Sequence, residues 1–286
     1  MSSILVRDCR KYYASELEKI YSSDEANALI MILLEHYFGI DRVKIAMEPE
    51  LRLSESEMLT LHFAVKELLK NKPVQYIIGE TEFCGMRFFV EEGVLIPRPE
   101  TEEMVRLLAV GHWPLAVKIL DIGTGSGCIA ISLAKLLKNS VVTAVDVSEK
   151  ALEVAKKNAE ANGVDVRFVL DDIFNPQNPK LIGNQYDIIV SNPPYVCESE
   201  KKEMRANVLD YEPSTALFVS DNDPLIFYRK ILEFAQKSLK PNGEIWFEIN
   251  EKFGKEMIKL CLEKGFINVE IIKDFRGKDR VLKANL

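Results

Sequence analysis

Four residues, Asn192-Pro193-Pro194-Tyr195, follow the apolar run at residues 186–191 and carry the most specific chemistry in the sequence. Each proline has a fixed φ and no N–H, so the stretch is stiff and offers carbonyl oxygens without competing donors from those two residues. A planar NH₂ group is the natural guest. The Asn192 carboxamide oxygen can accept one hydrogen of that guest and the Pro193 carbonyl the other, while Tyr195 supplies an aromatic face and a hydroxyl handle. An amide nitrogen is a poor nucleophile, because its lone pair is delocalised into the carbonyl. Alignment and fixed dipoles must then supply most of the acceleration for a direct displacement, and no general base of shifted pKa is required. Alone, the tetrapeptide could be a rigid surface turn; its place at a strand end, downstream of a glycine loop, favours a site.

That loop is Asp121-Ile122-Gly123-Thr124-Gly125-Ser126-Gly127, lying between an apolar run and a helical segment that opens at Cys128. Glycines let the chain turn sharply and bring its backbone close to a ligand. About nineteen positions beyond Gly127, in the usual spacing of such folds, the next apolar run ends at Asp146, whose carboxylate could accept both hydroxyls of a ribose. After a third run, Asp171-Asp172-Ile173-Phe174 places an acid beside an apolar side chain, suited to an adenine amino group and its ring. Together these features describe an adenosine site at the carboxyl ends of successive strands. The nitrogen held at Asn192 would face a methyl sulfonium carried by that nucleoside.

The elements that must position these residues are legible from periodicity. Ser22 and Glu25, and again Ser54 and Glu57, have capping-box spacing ahead of helical apolar repeats. Residues 1–75 are therefore expected to form a small helical domain. Residues 76–96 change to short β-type runs broken at Gly79, Gly85 and Gly93, which predicts a β-hairpin linker. Beyond Pro97, apolar runs at residues 117–122, 141–145, 166–170, 186–190 and 244–249 alternate with helical segments. That alternation predicts an α/β domain over residues 97–286 with a parallel sheet, closed by a terminal strand pair at residues 268–275 and 280–284.

Composition narrows the function classes. A hydrophobic fraction of 47% beside 28% charged residues is that of a globular protein, and no apolar run approaches the ~20 residues of a membrane span. Residues 1–13 mix Arg7, Asp8, Arg10 and Lys11 into a weakly apolar stretch unlike a signal peptide, so a cytoplasmic location is expected. The five cysteines form no C-x-x-C pair, and the three histidines sit in no ligand pattern, so neither disulfides nor a metal site is expected. A formal net charge of -7 disfavours binding to free nucleic acid. A monomer suffices for everything above.

With these residues in view, the chain resembles the release-factor glutamine methyltransferases, the HemK or PrmC family. The resemblance spans nearly the whole chain. It includes Gly79 followed by Phe83, Ile96-Pro97-Arg98-Pro99-Glu100-Thr101-Glu102, the glycine loop, Asp146, Ser191 with Asn192-Pro193-Pro194-Tyr195, and Tyr211-Glu212-Pro213. It implies a seven-stranded, Rossmann-like class I methyltransferase sheet with a small N-terminal helical domain that helps dock the protein substrate. It implies S-adenosyl-L-methionine as methyl donor, S-adenosyl-L-homocysteine as product, and the glutamine of a Gly-Gly-Gln motif in peptide chain release factors as acceptor. Gly123, Thr124, Gly125, Ser126, Gly127, Asp146, Asp172, Ile173 and Asn192 would contact the cofactor, and Asn192, Pro193, Pro194 and Tyr195 would hold the glutamine. No chemical role is assigned to Arg98. Phe247-Glu248-Ile249-Asn250 stands where the family often has Glu followed closely by Gly, a departure expected to leave catalysis unaffected.

Three other readings compete. Gly125, Gly127 and Ala130 also satisfy a dinucleotide fingerprint, but a nicotinamide enzyme leaves Asn192-Pro193-Pro194-Tyr195 unexplained. An adenine-N6 DNA methyltransferase would present the same kind of NH₂ group, yet residues 1–75 hold 10 Lys and Arg against 12 Asp and Glu, a poor surface for holding and flipping DNA. A noncatalytic scaffold would have no use for the full glycine loop, Asp146 and Asn192.

Overall fold

The computed structural model describes residues 4–179, 181 and 183–286. Residues 1–3, where the expected helical domain and the segment inspected for a signal peptide begin, lie outside the described residues. The chain divides into two compact units, Met1–Gly79 with Arg205–Tyr211, and Glu80–Met204 with Glu212–Leu286.

The first unit is built on helices α1 (Val6–Leu17), α2 (Ser23–Phe38), α3 (Arg42–Met47), α4 (Glu55–Leu68) and α5 (Val74–Ile78). Leu17, Ile30, Leu33, Leu34, Leu61 and Leu68 form its core, drawn from the apolar faces of α1, α2 and α4. The two predicted capping boxes differ. Ser54 accepts from the Glu57 amide, and the Glu57 carboxylate accepts from the Ser54 amide at 2.7 Å, closing the reciprocal box. Ser22 accepts from the Glu25 amide at 3.3 Å with no return bond, so it is a simple cap. The predicted linker also starts later than expected: residues 76–78 complete α5, and Gly79, at φ +77°, ends it. Arg205–Tyr211 belongs to this unit, with Arg205 paired to Glu25 at 2.7 Å and the Tyr211 hydroxyl donating to the Lys70 carbonyl at 2.9 Å.

The second unit opens with an antiparallel hairpin, Glu80–Phe83 with Met86–Phe89. Cys84 and Gly85, at φ +54° and +73°, make the two-residue turn whose twist suits a tight hairpin. Then follow α6 (Pro99–Ala109), β1 (Lys118–Ile122), α7 (Cys128–Leu136), β2 (Val141–Asp146), α8 (Glu149–Asn162), β3 (Arg167–Leu170), β4 (Tyr186–Ser191), α9 (Ile226–Ser238), β5 (Leu239–Glu248), α10 (Gly254–Glu263), β6 (Ile267–Lys273) and β7 (Asp279–Asn285). They build one seven-stranded sheet in the order β6-β7-β5-β4-β1-β2-β3. Strands β1 to β5 run parallel, and β7 is antiparallel to both β5 and β6.

Side-chain alternation along each strand feeds two cores. Ile122, Val145, Ile189, Ile245 and Phe247 pack with α9 and α10 on one face. Ile119, Ala144, Ile188, Val190 and Trp246 pack with α6, α7 and the hairpin phenylalanines on the other. The same alternation puts Asp121, Asp146, Asn192 and Glu248 in step with the second set, on the α6 and α7 side. Among the described residues no helix is long and apolar enough to cross a membrane.

Loss of the Ser54 hydroxyl tests the asymmetry of the caps. Ser54→Ala is expected to lower stability by about 1 kcal/mol and Ser22→Ala by less. Urea unfolding followed by circular dichroism measures both, and equal losses would show that the reciprocal bond adds nothing.

Candidate active site

The carboxyl ends of the parallel strands are level. Val169 pairs with Val145, Val145 with Ile122, Ile122 with Ser191 and Ser191 with Phe247. One step beyond this row stand Leu170, Asp146, Gly123, Asn192 and Glu248, and β1 is the switch point from which the strand order departs in two directions. A cavity of about 200 Å³, open to solvent at its mouth, lies along this edge. Gly123, Thr124, Gly125, Ser126, Asp146, Asp172, Ile173, Asn192, Pro193 and Pro194 all line it, so the second unit brings together most of the residues expected from sequence.

The glycine loop is held from beneath by Asp121, which is fully buried. Its Oδ2 accepts from the Thr124 hydroxyl at 2.6 Å and the Ala130 amide at 3.2 Å, while Oδ1 has no partner. Burial pushes its carboxyl up to about 7, against the hydrogen bonds that pull it down. Gly123 and Gly125 have φ of +73° and +56°, and a Cβ on either would enter open space. They therefore form a cradle that a side chain would fill. Gly127 is different: a Cβ there would lie 2.8 Å from Ile131 and 3.0 Å from Ala155. It is not among the residues that line the cavity, and its smallness serves helix packing.

Asp146 ends β2. Its Oδ2 accepts from the Gly125 amide at 2.8 Å and its Oδ1 from the Ser148 amide at 2.9 Å, so the carboxylate is aimed before any ligand arrives. Each oxygen retains a lone pair for a ribose hydroxyl. Asp171 turns its carboxylate on the backbone amides of Gln177 and Asn178 and shapes the loop, while Asp172 caps the Phe174 amide at 2.9 Å. Behind the loop, Asn158 is wholly buried and ties two segments together. Its amide donates to the carbonyls of Phe89 and Ser126 at 3.0 and 2.9 Å, and its Oδ1 accepts from the Phe89 amide at 2.6 Å. The spacing of Asn158 in the helix gave no sign of this.

Asn192-Pro193-Pro194-Tyr195 is fastened at both ends. The Ser191 hydroxyl donates to the Ile122 carbonyl at 2.7 Å, and the Asn192 Nδ2 donates to Thr101 Oγ1 at 3.1 Å. The Asn192 oxygen is thus left for a guest. The Tyr195 hydroxyl, expected to be free for substrate, donates instead to Glu248 Oε1 at 2.8 Å, and Tyr195 is not among the cavity-lining residues. Burial beside the Glu248 charge pushes that phenol well above its ordinary range, so it remains a neutral donor. That bond holds the turn against the end of β5. Asn250, whose position was expected to be without consequence, donates to the Tyr195 carbonyl at 3.1 Å. Arg98 pairs with Glu212, whose other oxygen accepts from the Ile96 amide at 3.2 Å; this joins Ile96-Pro97-Arg98 to Glu212-Pro213, and Ile96, Pro97, Arg98 and Pro213 line the cavity.

The sequence matches two family models, the PrmC N-terminal domain over residues 8–79 and the Methyltransferase small domain over residues 102–211. A release factor glutamine methyltransferase of Flavobacterium psychrophilum is 46% identical over 286 residues, covering 99% of this chain and 99% of the relative. One of Bacteroides thetaiotaomicron is 48% identical over 274 residues, covering 96% and 98%. The chain belongs to the release factor glutamine methyltransferase family. Among solved structures, a methyltransferase from Pyrococcus furiosus matches with a TM-score of 0.53 at 23% identity over 77% of this chain and 96% of that one, a likeness of fold.

The donor of this methyltransferase family is S-adenosylmethionine, and the residues here fit it. The Gly123 and Gly125 cradle offers space, and the aimed Asp146 carboxylate offers acceptors for the hydroxyls of a nucleoside.

Two outcomes follow for the loop. Both Gly125→Ala and Gly127→Ala carry left-handed strain of roughly 1 kcal/mol; Gly127→Ala adds overpacking against Ile131 and Ala155 and is expected to lose roughly 2 kcal/mol or more in all, whereas Gly125→Ala loses less stability and loses S-adenosylmethionine affinity. Thermal melts with and without the cofactor separate the two; parallel losses of stability would refute the division. The Asp121 carboxyl is raised from 3.8 to about 7 on folding, so its protonated form is favoured and its contribution is complete below pH 3.8. That contribution fades as pH rises through about 7. Cofactor-free protein should therefore lose stability from pH 5 to 8 more steeply than Asp121→Asn does, and identical slopes would count against a raised Asp121.

Proposed function

We propose that this chain transfers a methyl group from S-adenosylmethionine to the side-chain amide nitrogen of the glutamine in the Gly-Gly-Gln motif of a peptide chain release factor. The observation that carries this reading is the Asn192 carboxamide: its NH₂ is committed to Thr101, leaving an oxygen acceptor at the cavity beside two donor-free prolines. Near-full-length relatives named as release factor glutamine methyltransferases support the acceptor.

When bound, S-adenosylmethionine supplies a methyl group on a positive sulfur, which a nitrogen lone pair can displace. Asp146 would hold the ribose hydroxyls and Asp172 and Ile173 the adenine, with Gly123, Thr124, Gly125 and Ser126 along the rest of the nucleoside. Asn192 Oδ1 and the Pro193 carbonyl would accept the two amide hydrogens, turning the nitrogen toward the methyl group. These fixed acceptors strengthen as positive charge develops on nitrogen, and one amide proton is then released to water. Ile129, Val147, Ile173 and Phe227 give the cavity an apolar wall. The first unit would dock the protein substrate, and the overall negative charge supports a protein rather than a nucleic acid partner. A monomer acting in the cytoplasm completes the reading.

Incubation with methyl-labelled S-adenosylmethionine, a release factor, the same factor with Gln→Glu in its Gly-Gly-Gln motif, and duplex DNA tests it directly. Label is expected on the unaltered factor alone. Label on DNA would replace the reading with an adenine methyltransferase, and cofactor binding without any transfer would point to a scaffold. Asn192→Ala is expected to cut turnover by about 10²-fold while changing cofactor affinity little; a twofold loss would remove Asn192 from its role.

A further inference from the structure

Behind Asn192 lies a buried hydrogen-bond chain that the displacement itself does not use. Glu248 is 1% exposed at the end of β5. Its Oε2 accepts from the Thr101 hydroxyl at 2.5 Å and its Oε1 from the Tyr195 hydroxyl at 2.8 Å. Thr101, itself buried in the first turn of α6, accepts in turn from Asn192 Nδ2. We propose that Glu248 is a specificity-determining positioning residue: through Thr101 it fixes which end of the Asn192 carboxamide faces the substrate.

An ionised carboxylate accepts and never donates, so both hydroxyls that reach Glu248 must spend their hydrogens on it. Thr101 has a single hydroxyl hydrogen. With that hydrogen committed, its oxygen can meet Asn192 only as an acceptor, and the Asn192 end that satisfies it is the NH₂. The opposite end, Oδ1, is then the one offered to the cavity. Were Thr101 free to donate, the carboxamide could turn over, bonding through its oxygen and presenting an NH₂ to the guest. That flipped site would repel an amide NH₂ and welcome a carboxylate. One buried charge two residues removed from the guest therefore sets a preference for glutamine over glutamate.

Several features keep the chain in this state. Burial raises the Glu248 carboxyl above its ordinary range; the hydroxyls of Thr101 and Tyr195, one on each oxygen, and the Arg280 charge, anchored by Asp274 and by the Ile249 carbonyl, pull the other way and favour the ionised form. Asn250 holds the Tyr195 carbonyl, and the Tyr228 hydroxyl donates to the Glu248 carbonyl at 2.9 Å, so Tyr195 and the backbone of Glu248 are both held in place. The pairing of Ser191 with Phe247 places Asn192 and Glu248 at the same level on neighbouring strands. Thr101 bridges them from α6, on the face where alternation puts both.

This inference rests on glutamine as the acceptor, and the experiment separates the two. Affinities of the full-length protein for the release factor and for its Gln→Glu form are measured with S-adenosylhomocysteine bound, beside turnover with the unaltered factor and cofactor affinity as a control of the fold. If the wild-type protein methylates no release factor, the substrate reading fails. If it does, Thr101→Val, which keeps the shape and removes the hydroxyl, should lower turnover by about 10-fold or more and shrink the glutamine-over-glutamate preference by a similar factor. Thr101→Ser should restore most of both, with cofactor affinity in all variants within about threefold of wild type. Glu248→Gln, which removes the charge and adds a donor, should also reduce the preference. A wild-type preference in Thr101→Val, an equal defect in Thr101→Ser, or an unaltered preference in Glu248→Gln would each overturn the assignment.

Discussion

Everything in the site hangs on the level register of five parallel strands at their carboxyl ends. Backbone pairing from Val169 through Val145, Ile122 and Ser191 to Phe247 forces the next residue of each strand onto a common edge. Because side chains alternate, Asp121, Asp146, Asn192 and Glu248 share the face covered by α6 and α7. A slip of one residue in any strand would turn its polar group into the opposite core, where Phe247, Ile249 and Tyr228 pack. The apolar residues behind the edge thus specify the position of the polar ones in front of it.

Above that edge, the ligand-facing groups are secured before a ligand binds. Asp146 is aimed by two backbone amides, the glycine loop is seated on Asp121, and Asn158 ties the loop to the hairpin. Asn192 is oriented from Thr101, and Tyr195 from Glu248 and Asn250. Such preorganisation matters for an amide nucleophile, which brings little reactivity of its own and depends on the alignment that the protein imposes.

Buried acids divide into two kinds here. Glu248 has a donor on each oxygen and serves as a fixed acceptor inside the protein. Asp121 keeps one oxygen without a partner beneath the glycine loop, and its carboxyl is held high by burial.

Much of this was legible in the chain. Alternating apolar runs and helical segments predicted the parallel sheet, the capping pattern predicted α2 and α4, and the glycine loop, Asp146 and Asn192-Pro193-Pro194-Tyr195 marked the cavity, because each depends on local conformation or on residue types with few other uses. Contacts far apart in sequence were not legible. That Tyr195 bonds inward, that Gly127 answers to Ala155, and that Thr101 and Glu248, 147 residues apart, meet behind Asn192 depend on which strands pair and which helix covers them. The sequence by itself determined the chemistry offered to a guest, since residue type and spacing dictate donors, acceptors and turns. Only the tertiary structure decided the direction of the Asn192 amide, since that is set by where a buried carboxylate forces a hydroxyl hydrogen to lie.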